Sequence, residues 1–207
     1  MISKLSKEDI NMYLVFDTET SGLPSFKLPL DDPSQPKLMQ LAFVMLDDEF
    51  KERSRFHSNV KHIDQYDVNP FAYAAHGLSY QECQDTGIPL VCVVDLFTQI
   101  ISQCSCQVAH NLKFDKMISD IAINTIYKDE YNVSWSESDF CTMLQSTEIC
   151  KIPHKNGRAG NKWPTVKEAY EKLLNKQLVG NFHNATFDLD ATVEIFKHLK
   201  SLETAVA

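Results

Sequence analysis

Three extended segments near the start of the chain carry its strongest hydrophobic signal. Residues 12–17, MYLVFD, and residues 37–46, KLMQLAFVML, are apolar on both faces, which is typical of sheet strands covered on two sides. The segment 50–61 instead places polar side chains on one face, as a strand with one solvent-facing side does: Lys51, Arg53, Arg55 and His57. These segments predict an antiparallel meander.

Strands and helices alternate along the rest of the chain. Ser79 and Glu82 have the spacing of a helix capping box. The later elements are predicted in this order: a helix over 90–103, a strand at 107–110, a helix over 112–124, a strand near 133–140, a polar loop at 151–163, a helix from Pro164 and a helix over 187–202. Such alternation indicates parallel pairing. The sequence therefore predicts one α/β domain over residues 1–207, with a mixed five-stranded sheet (an antiparallel meander plus parallel strands) flanked by helices.

The composition of the chain bears on where the protein acts and on how it contacts nucleic acid. The chain has no apolar run long enough to cross a bilayer, and its start, MISKLSKEDINMY, lacks the apolar stretch of a signal peptide. We therefore expect a cytoplasmic protein with no membrane partner. The net charge is −8, whereas proteins that bind nucleic acid along its length usually carry an excess of basic residues. Any nucleic-acid contact should therefore be short.

The six cysteines include no CxxC pair, so we interpret them as reduced thiols. Cys104, Cys106 and His110 do not have the spacing of a usual zinc site. Their stretch is typical of a strand, and core packing is the interpretation we prefer.

Asp17 and Glu19 stand two residues apart at the end of the first strand. If the extended chain continues, both carboxylates leave the same face of the sheet. A divalent cation would then relieve their repulsion. The alternative is that the strand has already ended in the turn TSGLP, which would leave both groups in water.

Two predicted helices supply further carboxylates. At 100° per residue, Asp115 lies on the apolar side of its helix, whereas Asp120 shares the polar side with lysines. Asp188 likewise shares a stripe with apolar residues, while Asp190 faces outward. The alternative for Asp115 and Asp188 is a first-turn aspartate that interacts with the helix dipole. His183 precedes Asp188 by five residues and is a candidate base, although a loop histidine is commonly just solvated.

Three segments resemble known motifs: FDTETSGLP at 16–24, AHNLKFD at 109–115 and HNATFDLDAT at 183–192. They are similar, in order and character, to the three exonuclease motifs of the DEDDh group of 3′→5′ exonucleases. That group has a ribonuclease H-like fold and includes the proofreading ε subunit of bacterial replicative polymerases. The segment NPFAYAAHGLS at 69–79 also resembles the region before the second motif.

The resemblance implies roles for particular residues. Asp17, Glu19, Asp115 and Asp188 would bind two divalent cations, Mg²⁺ or Mn²⁺, and His183 would act as general base. The 3′-terminal nucleotide would contact backbone near Thr18, together with Thr20, Leu23 and His76. For Leu23 and His76, the alternatives are an ordinary turn residue and a hydrogen-bonded loop histidine.

The implied activity is removal of nucleoside 5′-monophosphates from the 3′ end of single-stranded or frayed DNA, alone or beside a polymerase partner in proofreading or repair. An exoribonuclease is an open alternative, because the motifs do not report acceptance of a 2′-hydroxyl. A catalytically silent binding module is another, although it would have no need of four carboxylates and His183. The basic residues of the 151–163 loop are either phosphate contacts or a solvated surface: Lys151, Lys155, Arg158 and Lys162.

Overall fold

The computed structural model describes residues 11–128, 133, 135–180 and 185–206, and for residues 205 and 206 it describes the backbone alone. Its strands are β1 (Tyr13–Thr20), β2 (Leu38–Leu46), β3 (Glu52–Lys61), β4 (Ile88–Pro89), β5 (Cys106–Ala109) and β6 (Ser138–Cys141). Its helices are α1 (Pro70–His76), α2 (Tyr80–Thr86), α3 (Leu90–Ile101), α4 (Leu112–Tyr127), α5 (Thr142–Cys150), α6 (Val166–Leu174) and α7 (Ala185–Val206).

The strands form one mixed sheet in the order β4-β3-β2-β1-β5-β6. The predicted antiparallel meander of β1, β2 and β3 is confirmed, as is the parallel pairing of β5 with β1 and of β6 with β5. The sheet has six strands rather than the predicted five, because the two residues of β4 pair in parallel with the end of β3. A strand so short and exposed has no hydrophobic alternation by which a sequence could reveal it.

Hydrophobic side chains fill both faces of the sheet. Leu14 and Phe16 of β1 belong to a cluster with α3 and α4, whereas Val15 belongs to a second cluster with α6 and α7. Successive side chains of a strand point to opposite faces. The odd-numbered residues of β1 therefore face the α7 side, and this parity decides where the carboxylates of the strand lie.

Two helices were not predicted. All seven residues of α1 lie outside the core, and the helix is held by Asn69, whose side chain accepts from the Phe71 amide, and by Gly77 in the left-handed conformation. The buried face of α5 includes Thr142, Ser146 and Thr147, so no apolar periodicity marks it. The helix predicted from Pro164 begins at Val166, because Thr165 and Glu168 form a capping box.

The described cysteines are all free thiols, and Cys104 and Cys106 are buried in the two hydrophobic clusters. His110 is held instead by Thr142 and the Pro164 carbonyl. The core interpretation of this stretch is confirmed. None of the helices in the described ranges is long and apolar enough to cross a membrane.

Candidate active site

The last residues of β1 carry the first two candidate ligands. The strand continues through Thr20, with Asp17 opposite Ala42 and Glu19 opposite Gln40 in β2. The extended chain thus includes both acids, as the first alternative required, and both leave the sheet on the face that α7 covers. The pairing register shifts between Glu19 and Thr20, where the strand ends.

Helix α7 brings a third carboxylate to this point. The backbone amide of Ala185 donates to Oε1 of the buried Gln40 at 2.9 Å, so β2 fixes the start of the helix beside Glu19. Asp188 follows in the first turn and is buried. Asp17, Glu19 and Asp188 each offer one oxygen, and these three atoms lie within 4.8 Å of one another. In the part of the chain that the structure describes, no other group of three or more His, Cys, Asp or Glu side chains lies close enough together to hold a metal ion.

Asp115 reaches the same cavity from the opposite face of the sheet. Its carboxylate accepts from the Thr18 backbone amide at 3.2 Å and from the Thr18 hydroxyl at 2.7 Å. The side chain is buried, and it lines a cavity of about 470 Å³ together with Asp17, Glu19 and Asp188. Four acids from one strand and two helices therefore surround one space.

Burial disfavours the ionised forms of Asp17, Glu19 and Asp115, and repulsion between carboxylates adds to this effect at Asp17 and Glu19. The pKa of Asp17 is raised well above its usual range by burial first, and then by Asp115, Glu19 and Asp188. Burial and the charges of Asp188 and Asp115 raise the pKa of Glu19 to about 8. The pKa of Asp115 rises to about 7 through burial, although its bonds from Thr18 act in the lowering direction. Hard oxygen donors held close against their repulsion fit a divalent cation.

These shifts predict an unusual pH dependence of stability in metal-free protein. A carboxyl group whose pKa is raised on folding binds more protons in the folded state, so its contribution to stability is lost as pH rises through the folded pKa. For Glu19 this window ends at about 8. We expect the Tm of the wild type in EDTA, relative to Glu19→Gln, to fall between about pH 5 and 8.

Glu19→Gln retains every histidine of the wild type, so the effect of histidine titration on Tm cancels in the comparison. Saturating Mg²⁺ should remove the relative fall, since the cation binds the deprotonated carboxylates. A Tm difference independent of pH in EDTA would contradict the description of Glu19 as a crowded, desolvated acid.

The predicted nucleotide contacts lie beside the acids. Thr20 is buried, its hydroxyl donates to the Gly22 carbonyl, and its own carbonyl lies 3.0 Å from His76 Nε2. His76 Nδ1 accepts from the Leu78 amide, which places the ring proton of a neutral His76 on Nε2. Leu23 is 87% exposed and lines, with Phe71 and His76, a mostly apolar pocket of about 560 Å³ that also includes Glu19.

Thr18 differs from the other nucleotide-contact candidates. Its amide and hydroxyl both donate to Asp115, so these two groups are already engaged. The contact in the structure positions a carboxylate; a contact of Thr18 backbone with substrate remains a prediction. His183 lies outside the described residues, and its role also stays a prediction.

Helix orientation separates the inward from the outward acids. Asp115 and Asp188 are buried as predicted, and Asp190 is exposed and pairs with Arg55 at 2.6 Å. Asp120 is half-buried rather than solvated, because its carboxylate accepts from the Trp135 indole at 2.8 Å. Burial raises the pKa of Asp120.

The sequence of this chain matches a known protein family. A family model described as RNase_T, exonuclease, matches residues 14–196, which is most of the chain. The chain belongs to this exonuclease family. The resemblance found in the sequence motifs is thereby confirmed at the level of the exonuclease family. No curated protein sequence matches the chain significantly.

Solved structures of exonuclease I share the fold of this exonuclease-family chain. E. coli exonuclease I in complex with a dT13 oligonucleotide has a TM-score of 0.72 at 19% identity, over 95% of this chain and 42% of that one. The zinc-bound form of the E. coli exonuclease I–ssDNA complex has a TM-score of 0.70 at 18% identity, over 94% and 41%. The predicted ribonuclease H-like fold is confirmed. The chain spans about two-fifths of the length of these structures.

Several residues of the acidic cavity were not assigned to the active site from the sequence. The cavity of this exonuclease-family chain is also lined by His110, Asn111, Phe114, Thr165, Val166 and Lys167. Asn111 and Phe114 stand inside the motif AHNLKFD, which was their available signal. The residues from Thr165 to Lys167 carry no such signal. They follow Pro164, whose carbonyl oxygen lies 2.9 Å from His110 Nε2.

Proposed function

We propose that this chain is a metal-dependent 3′→5′ exonuclease of the DEDDh type, formed by a single domain over residues 1–207. It hydrolyses phosphodiester bonds of single-stranded or frayed DNA and releases nucleoside 5′-monophosphates. The observation that carries the proposal is the meeting of Asp17, Glu19 and Asp188 within 4.8 Å, with Asp115 on the same cavity. The likeness to exonuclease I, which is solved with DNA oligonucleotides, favours DNA as substrate.

Each acid has a proposed task in this reaction. Asp17, Glu19, Asp115 and Asp188 would hold two divalent cations, Mg²⁺ or Mn²⁺. When bound, the cations supply Lewis-acid stabilisation of the charge that develops on the phosphate and on the departing 3′ oxygen. Thr18 orients Asp115 through its two hydrogen bonds, and Gln40 orients the first turn of α7 and thereby Asp188.

The remaining residues handle the water and the terminal nucleotide. A ring nitrogen of neutral His183 takes a proton from the attacking water, whose oxygen forms the new bond to phosphorus as the bond to the 3′ oxygen breaks. The exposed side chain of Leu23 packs against the terminal base, while Thr20 and His76 line the same pocket. Packing without base-specific hydrogen bonds suits an enzyme that accepts any base.

The proposal is tested with 5′-labelled single-stranded DNA and RNA of the same sequence, incubated with Mg²⁺, Mn²⁺ or EDTA. We expect stepwise shortening from the 3′ end of DNA, dependent on metal and halted by EDTA. Faster degradation of RNA would transfer the proposal to the exoribonuclease alternative. Full activity in EDTA, or products that begin at the 5′ end, would contradict the mechanism.

A further inference from the structure

A second groove opens beside the acidic cavity, with which it shares Asn111. It has a volume of about 670 Å³ and runs between the start of α4 and α5. Its walls include Phe26, Leu144 and Trp163, whose side chains are 51%, 52% and 64% exposed. Large apolar side chains grouped on an open surface indicate a binding site more often than chance exposure. We call this space the Trp163 groove.

The Trp163 groove places a lysine beside a flat apolar side chain. Lys113 Nζ lies 4.7 Å from the centre of the Phe26 ring and makes no salt bridge to any described carboxylate. The two acids on the wall are both engaged: Asp139 with Lys116 at 2.8 Å, and Asp120 with the Trp135 indole. An aromatic surface with a cation beside it is the combination that proteins use to hold single-stranded nucleic acid.

The groove is continuous with the acidic cavity. Asn111 lines both of them, and Phe114 lines both the acidic cavity and the Leu23 pocket. The acidic cavity thus shares a lining residue with each of the other two spaces. With the terminal nucleotide in the Leu23 pocket, the Trp163 groove is available to the strand on the 5′ side of the scissile phosphate.

We propose that the Trp163 groove holds the nucleotides on the 5′ side of the scissile phosphate, with a base stacked on Trp163 and a phosphate near Lys113. This inference rests on the proposed function for its direction along the strand. The proposal assigns nucleotide binding to Trp163, at the end of the 151–163 loop. The sequence had left open whether the basic residues of that loop contact phosphates. Lys162, next to Trp163, is paired with Glu168 at 2.7 Å and is not needed for the contact.

Binding is the first test. The probe is an oligothymidylate of about ten nucleotides, within the length that such grooves bind, made with phosphorothioate linkages that resist cleavage and measured in Mg²⁺. Trp163→Ala should weaken binding by about 5- to 150-fold, the range for loss of one base–aromatic stack, and Trp163→Phe should restore most of it. Ile63→Ala, which truncates a fully exposed side chain outside the groove, is the matched control and should bind as wild type.

The phosphate contact has its own readout. Lys113→Ala should reduce the slope of log Kd against log salt by roughly 0.7, the value for one phosphate of a single strand. An unchanged salt slope would remove Lys113 from the contact.

Substrate length separates this proposal from the proposed function. Trp163→Ala should lower kcat/KM on an unmodified strand of the same length by a similar factor. It should leave hydrolysis of the 4-nitrophenyl ester of thymidine 5′-monophosphate unaffected, since that substrate has no nucleotide on the 5′ side of the scissile phosphate. Equal loss on both substrates, or no loss on either, would overturn the groove assignment while the exonuclease stands. Binding that depends on Trp163 without any cleavage by the wild type would support the groove and overturn the proposed function. A wild type that neither binds nor cleaves would overturn both.

Discussion

Asp188→Asn should reduce exonuclease activity by roughly a thousandfold or more, because each cation contributes several kcal/mol to transition-state stabilisation and the variant has lost a ligand. Asn keeps the size of the side chain but removes its charge, so the geometry of the first turn of α7 is retained. The measurement is kcat/KM on single-stranded DNA at saturating Mg²⁺. The buried position of Asp188 beside Asp17 and Glu19 is the reason for this expectation.

The same substitution should raise stability when metal is absent. Asp188 is the largest charge contribution to the raised pKa of Glu19, so its removal relieves repulsion in the folded state. We expect the Tm in EDTA at about pH 8.5, where more of the acids are ionised, to be above that of the wild type. Addition of Mg²⁺ should raise the wild-type Tm more than that of the variant, because a ligand stabilises only the state that binds it.

Asp190→Asn is the matched control, two residues further along the same helix. Asp190 is exposed and pairs with Arg55 on the surface, where an ion pair contributes little. Its substitution should change neither activity nor the Mg²⁺-dependent rise in Tm. Comparable losses in both variants would show that the helix, rather than the acid cluster, is what the enzyme needs.

The opposite behaviour of activity and stability follows from how the site is built. Like charges are held together by elements whose positions the core determines: β1 between two hydrophobic clusters, and α7 through the Gln40–Ala185 hydrogen bond. The fold thus tolerates a local cost that a metal relieves. A site of this kind binds its ligand well but lowers the stability of the fold when the ligand is absent.

Periodicity predicted the inward acids because it reports the faces of single elements. Asp188 shares its stripe with Ile195 and Leu199, which are buried, so the geometry of one helix was sufficient. Asp120 lies on the polar side of its helix as predicted, but its hydrogen bond to Trp135 was not predicted. Its polar side of α4 is covered by Trp135, a residue outside the helix, and no pattern within the helix can announce such a contact.

The elements α1, α5 and β4 were not predicted, because none of them carries an apolar periodicity of its own. Helix α1 buries no side chain and α5 buries threonine and serine, so neither has the apolar stripe on which the prediction depends. Strand β4 exists because β3 offers it an edge. Likewise, the Trp163 groove combines Phe26, α4, α5 and a loop, and only the three-dimensional packing brings them together.

His183→Ala should lower kcat by about 100- to 10,000-fold, the range for loss of a positioned general base. The loss should fall on kcat, because the four carboxylates proposed to hold the cations are unchanged. The decisive comparison is the pH–rate profile. The wild type should lose activity as the histidine is protonated at low pH, whereas the residual activity of the variant should lose that inflection and rise with hydroxide concentration.

A second measurement separates a base from a residue that only supports the site. The Mg²⁺-dependent rise in Tm should be the same in His183→Ala and in the wild type, since the variant retains Asp17, Glu19, Asp115 and Asp188. His76→Ala is the control histidine: its ring donates to the Thr20 carbonyl and lines the nucleotide pocket, so its loss should raise KM more than it lowers kcat. If His183→Ala instead raised KM with kcat intact, the histidine would belong to substrate binding, and the proton of the attacking water would need another acceptor.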